Sequence, residues 1–172
     1  MILFLIYITK YLQKKMLHKQ ESMNFVVACN QTESCIVPAS KERVWEKFVE
    51  LDLAKLFPSH IVSVKFTSGS AGQINSFFEI TYKDGSVWTY RLTEISDCKK
   101  AVIAFELVST SNPIDFTSLY QKIHLHPVSE DKTTYLVWET EYSNDVNSHI
   151  VQDGKYKKLD YFKDLKKLFG SQ

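Results

Sequence analysis

Residues 150–169, IVQDGKYKKLDYFKDLKKLF, carry the pattern that decides the fold. At about 100° per residue, Ile150, Val151, Tyr161, Phe162, Leu165, Leu168 and Phe169 fall on one side of a helix. Asp153, Lys157, Asp160, Lys163, Asp164 and Lys167 fall largely elsewhere. Gly170 stands where a C-cap glycine would, and lysines crowd the final turns, where the helix dipole favours cations. An apolar stripe of this length has to be buried against another part of the chain. Two positions on it do not suit close packing: Gly154 leaves a gap, and Lys158 puts an ammonium in the apolar sector. A helix lying across a hollow tolerates both.

The preceding residues supply a cover. From residue 61 the period is 2, not 3.6. Val62, Val64 and Phe66 alternate with polar residues, as do Phe78, Ile80 and Tyr82, and then Trp88, Tyr90 and Leu92. Three more runs follow: Ile103, Phe105 and Leu107; Leu119, Gln121, Ile123 and Leu125; and Leu136, Trp138, Thr140 and Tyr142. Lys83-Asp84-Gly85-Ser86 is a hairpin signal, with Asp-Gly between two alternating runs. Six strands at short spacing, each with one apolar side, predict an antiparallel sheet with one buried face.

Upstream of these, residues 32–37 read as a first strand closed by Pro38. Ser40 is placed as an N-cap for a short helix bearing Val44, Trp45, Phe48 and Leu51, followed by a turn or two over residues 52–57 that Pro58 stops. The expected architecture is α+β: one strand, two short helices, six strands and a long helix that the curved sheet grips.

With 172 residues, the chain has the size of one domain with a sizeable core. A net charge of +1 gives no basic surface of the kind nucleic acid requires. Cys29, Cys35 and Cys98 are odd in number and unpaired in spacing, which points to free thiols in a reducing, cytoplasmic setting. Residues 1–8 are apolar, but the lysines come after the run, where a secretory signal has them before it. The run is also short of the roughly 20 residues that span a bilayer. Residues 1–30 therefore read as a poorly ordered extension, the only place where membrane contact is expected, and residues 31–170 as one domain, expected to be monomeric.

Several strings in this order of elements carry a resemblance: Val37-Pro38-Ala39-Ser40 leading into Val44-Trp45, Tyr90-Arg91-Leu92, and Phe105-Glu106-Leu107-Val108. Trp138-Glu139 and Lys155-Tyr156-Lys157-Lys158-Leu159 complete the set. With them the chain resembles the Bet v 1-like (START-like, polyketide cyclase and lipid-transport) superfamily over residues 32–170. The resemblance implies a helix-grip fold, a seven-stranded sheet around the last helix, and a cavity between them for a small hydrophobic molecule such as a lipid, sterol or polyketide. Against the similar plant abscisic-acid receptors, their pocket lysine falls near Pro58, their pocket glutamate at Tyr90, and their gate loop at the tight turn of residues 83–86. Lachrymatory-factor synthase is similar at Arg91-Leu92 and Trp138, and it too has an acid where this chain has Tyr90.

If the alternating apolar set faces the last helix, Phe78, Tyr82, Trp88, Tyr90, Phe105 and Leu119 line the hollow, with Gln121, Trp138 and Tyr142. The helix contributes Gly154, Lys158 and Tyr161. Buried Tyr and Trp need partners for their polar tips, and a few polar groups in an apolar wall is how small-molecule sites are built. Tyr82, Tyr90, Gln121 and Lys158 are the groups expected to orient a ligand. The chemistry alternatives are three: a carrier, a cyclase or dehydratase using Tyr90 and Lys158 for proton transfer, and an interaction module with a collapsed cavity. His124 and His126 share a strand face without a third ligand nearby, so no metal is expected. No phosphate loop, nucleophile elbow or cofactor motif is present in the sequence, and no cofactor is expected.

Overall fold

A computed structural model describes residues 29–170, and the expectations for the N-terminal extension lie outside them. Among the described residues the chain forms β1 (Asn30–Val37), α1 (Lys41–Val49), α2 (Leu53–Leu56), β2 (Ile61–Ser68), β3 (Phe77–Tyr82) and β4 (Val87–Ile95). β5 (Val102–Thr110), β6 (Leu119–Pro127), β7 (Thr134–Tyr142) and α3 (Ser148–Gly170) follow. The strands make one antiparallel sheet in the order β1-β7-β6-β5-β4-β3-β2. β2 to β7 meander, and β1 returns beside β7. The inward face of the sheet, α1, α2 and the stripe of α3 share one core, in which Tyr161, Phe162, Leu165 and Phe169 are buried.

The β3–β4 turn forms as its sequence dictates. Gly85 has φ +83°, Gly85 N–H donates to the Tyr82 carbonyl at 3.0 Å, and the Asp84 carboxylate accepts from Ser86 N–H at 2.9 Å. On the outer face, Arg91 and Glu106 sit opposite one another across β4 and β5 with 2.5 Å between charged atoms, and Lys122 reaches Glu94 at 3.1 Å. His124 and His126 stack on the same face, with ring centres 5.9 Å apart.

Four local expectations are corrected. Val62 does not face inward: the β2–β3 register shifts between Ile61 and Ser63, so Val62 bulges out 57% exposed and Ile61 takes the core position. Leu168 falls off the buried stripe at 39% exposed, because 100° per residue carries it past the edge of the contact with β1. Ser40 stands at the N-cap of α1 with extended dihedrals, but its side chain makes no capping hydrogen bond. Gly170 lies inside α3 and has no positive φ, so it does not act as a left-handed cap.

Candidate functional site

A cavity of about 90 Å³ lies between the sheet and the first half of α3. Tyr82, Trp88, Tyr90, Leu119, Gln121 and Tyr142 line it from the strands, and Gly154, Lys158 and Tyr161 from the helix. Phe78, Phe105 and Trp138, which the alternation also assigned to the lining, do not reach it. Their period-2 positions are right, but they are consumed in packing. Phe78 and Phe105 close on the ring of Tyr90 at 5.8 and 5.2 Å between centres. Trp138 stacks on Tyr161 at 5.5 Å, with Phe57 of the α2 end against both. The aromatic set therefore divides into a solid end and a hollow end.

Six further residues line the hollow: Ser86, Phe116, Thr140, Ile150, Asp153 and Lys157. Thr140 was visible in the alternation beside Trp138 and Tyr142. Phe116 was not, since it comes from the aperiodic residues 111–118, and Asp153 and Lys157 lie off the apolar stripe. These last two form an i,i+4 ion pair of 2.9 Å on α3.

The wall has a directional polar chain. Trp138 Nε1–H donates to Gln121 Oε1 at 2.7 Å. That fixes the amide, whose Nε2–H points at the Tyr90 hydroxyl at 3.4 Å, and this hydroxyl lies 3.4 Å from that of Tyr82. Burial pushes the phenols of Tyr82, Tyr90 and Tyr161 well above their ordinary range. All three keep their protons at neutral pH, and Tyr90 has one to give toward Tyr82 or the cavity.

The floor is polar for a reason that lies in the register. Gln121 of β6 pairs with Thr140 of β7, and Thr140 pairs with Gln31 of β1, so the three stand in one row across the sheet. Gln31 is buried, and its Nε2–H donates to the Val151 carbonyl of α3 at 2.9 Å. Lys158, 3% exposed, donates from Nζ to Gln31 Oε1. Its amine is thus held inside, on β1, neither at the cavity mouth nor on Tyr90. Burial lowers its pKa to about 8, against the pull of Glu33 in the other direction. Gly154 is one turn back along α3, and a methyl there would collide with the Tyr142 hydroxyl. The glycine is what lets Tyr142 cross under the helix. Thr140 Oγ1, in the middle of the row, is buried without a hydrogen-bond partner.

Solved structures share the fold of the chain. A protein of Nitrosospira multiformis superposes with a TM-score of 0.72 at 22% identity, covering 83% of this chain and 97% of that one. Ara h 8.0201 gives 0.68 at 16% identity, over 83% and 98% of the two chains. A major latex-like protein of Panax ginseng gives 0.66 at 14%, over 83% and 99%. The fold is the Bet v 1-like helix grip. At these identities the likeness speaks for the helix grip alone, and the site rests on the residues above. No family profile and no curated protein matches the sequence. No helix among the described residues is long and apolar enough to cross a membrane. No cluster of three metal-ligating side chains is assembled among them either.

Proposed function

We propose that the protein binds or carries a small, mostly apolar molecule in the cavity between the sheet and α3. The observation that carries this is Thr140: a buried hydroxyl with no partner, on the floor of a hollow that is otherwise apolar and aromatic. A polar group left unpaired in a buried site costs about 1–3 kcal/mol, and a ligand oxygen would relieve it. Gln121, Tyr90 and Tyr82 would orient the same ligand from the wall.

Size narrows the class. A cavity of about 90 Å³ accommodates one ring or a short branched chain, below the roughly 300–1,000 Å³ typical of drug-sized ligands. A sterol or long-chain lipid would need residues 111–118 to move away from the mouth. Burying ~200 Å² of a single ring at ~25 cal/mol per Å² is worth about 5 kcal/mol before association costs, so a bare ring is expected to bind no tighter than about 0.2 mM. The proton-transfer alternative called for Tyr90 and Lys158 to act as a pair, and the Lys158 amine bonds to Gln31 on β1, not to Tyr90. Cys35 and Cys98 are free thiols, which supports a reducing, cytoplasmic setting.

Native mass spectrometry of the purified chain is the direct test, with quenching of Trp88 fluorescence by single-ring phenols and alcohols as the titration. A bound molecule of low mass, or saturable quenching, is expected. A chain that carries nothing and quenches with no probe would leave a collapsed interaction module in its place.

A further inference from the structure

Lys158 is not accounted for by ligand orientation alone. It lines the cavity, is withdrawn from water, and takes part in no ion pair among the described residues. Its hydrogen bond goes to a neutral amide oxygen of Gln31. An ammonium has three donors to satisfy, and a single amide partner in a dry site is poor compensation for burying the charge. The neutral amine, with a lone pair and lower desolvation cost, fits the site better. Tyr142, with its proton held up to about pH 12, faces the gap that Gly154 leaves, and the unpartnered Thr140 hydroxyl stands on the same strand in the cavity lining.

We propose that Lys158 captures a carbonyl ligand covalently, as a reversible imine with a small apolar aldehyde or ketone held in the cavity. This rests on the cavity being a ligand site and names the functional group of its ligand. The step balances without any redox partner. The amine lone pair forms the N–C bond as the carbonyl π pair moves to oxygen, and a proton passes from nitrogen to that oxygen, giving a carbinolamine. The carbinolamine oxygen then takes a proton, the C–O bond breaks as water leaves and the nitrogen pair closes the C=N bond, and the resulting iminium returns its N–H proton to the group that donated one, leaving the neutral imine. Hydrolysis runs the same steps backwards and releases the ligand unchanged. Tyr142 and Thr140 are the hydroxyls placed to give the leaving oxygen its proton. A pKa of about 8 leaves roughly a tenth of the amine free at neutral pH, about two orders of magnitude more than on an exposed lysine.

Benzaldehyde, one ring with one carbonyl, is the probe, and benzyl alcohol is its counterpart without the electrophile. The full chain is incubated with benzaldehyde and sodium cyanoborohydride at neutral pH, then read by intact mass and peptide mapping. One benzyl group per chain at Lys158 is expected. Excess benzyl alcohol should suppress it, and Lys158→Met should lose it. Wild-type mapping decides the matter even if that variant fails to fold. Label spread over exposed lysines with Lys158 bare, while benzyl alcohol still quenches Trp88, overturns the imine and leaves the proposed binding function standing. Absence of both the label and the quenching overturns the two together.

Discussion

Thr140 is where free-energy cost and function separate most cleanly. Its hydroxyl is 2% exposed and unpartnered, although Gln121 and Gln31 flank it in the same row. Those two amides are already committed, to Tyr90 and Trp138 on one side and to Val151 and Lys158 on the other. Thr140→Val keeps the shape and removes the orphaned hydroxyl. The free protein should gain about 1 kcal/mol in urea unfolding, because a buried unsatisfied group is no longer carried. Affinity for a ring bearing a hydroxyl or carbonyl should fall several-fold, while affinity for the bare ring stays the same. Equal losses for both probes would mean that the hydroxyl does not face the ligand. Gly154 and Lys158 stood out in the sequence because each is wrong for a packed stripe. What explains each of them lay out of view. Gly154 makes room for Tyr142, and Lys158 bonds a glutamine 127 positions away in the chain.

The strands and the last helix were legible because each has a period that only one secondary structure satisfies. The bulge at Val62 was not, since it depends on how β2 is read by β3 and leaves no mark on β2's own alternation. Residues 111–118 have no period at all, yet they bring Phe116 to the cavity wall, where its ring meets Trp88 and Tyr142 at 6.4 and 5.7 Å. This segment is tied to the β7–α3 connector at Ser143 and Asp145: Ser143 N–H donates to the Ser118 carbonyl at 3.0 Å, and the Ser143 hydroxyl accepts from the N–H groups of Thr117 and Ser118 at 2.9 Å each. Asp145 accepts from Thr117 N–H at 3.1 Å and from Thr117 Oγ1 at 2.5 Å, and also from the Ser143 hydroxyl. The bonds from Ser143 and Thr117 hold its carboxyl down near pKa 2, so the tie persists throughout the acid range in which ordinary carboxylates titrate. Asp145→Ala should therefore loosen the hold on Phe116 while the Ser143 bonds keep the segment in place. Stopped-flow quenching of Trp88 should show faster ligand entry and exit, with a smaller change in Kd than in either rate. Unchanged rates would mean that entry does not pass the Phe116 segment.

The helix grip closes a hydrophobic core around a polar seam, and the seam gives the whole molecule an unusual alkaline profile. Lys158 must be charged in the unfolded chain up to its ordinary value of 10.5, but in the fold it loses its proton at about 8. Between those values the unfolded state binds more protons than the folded one, so stability rises with pH across that window. Below pH 8 both states are charged and the fold bears the whole cost of burying the ammonium, a cost that Glu33 on β1 lessens without removing. The four cavity tyrosines act in the opposite sense. Tyr82, Tyr90, Tyr142 and Tyr161 keep their protons in the fold above the point at which unfolded tyrosines ionise, so each destabilises the protein above about pH 10. Cys35, whose thiol burial raises from 9.0 to about 11, acts in the same sense as the tyrosines from about pH 9, so the opposing effects place the stability maximum near pH 9. Urea unfolding between pH 7 and 11 should show wild-type stability changing relative to that of Lys158→Met by about 2 kcal/mol in wild type's favour from pH 8 to 10, over an alkaline fall that both share. In Lys158→Met only that fall should remain. A wild-type-minus-variant difference that stays constant across pH 8–10 would mean that the amine reaches water and holds its charge, and the dry seam between β1 and α3 would have to be given up.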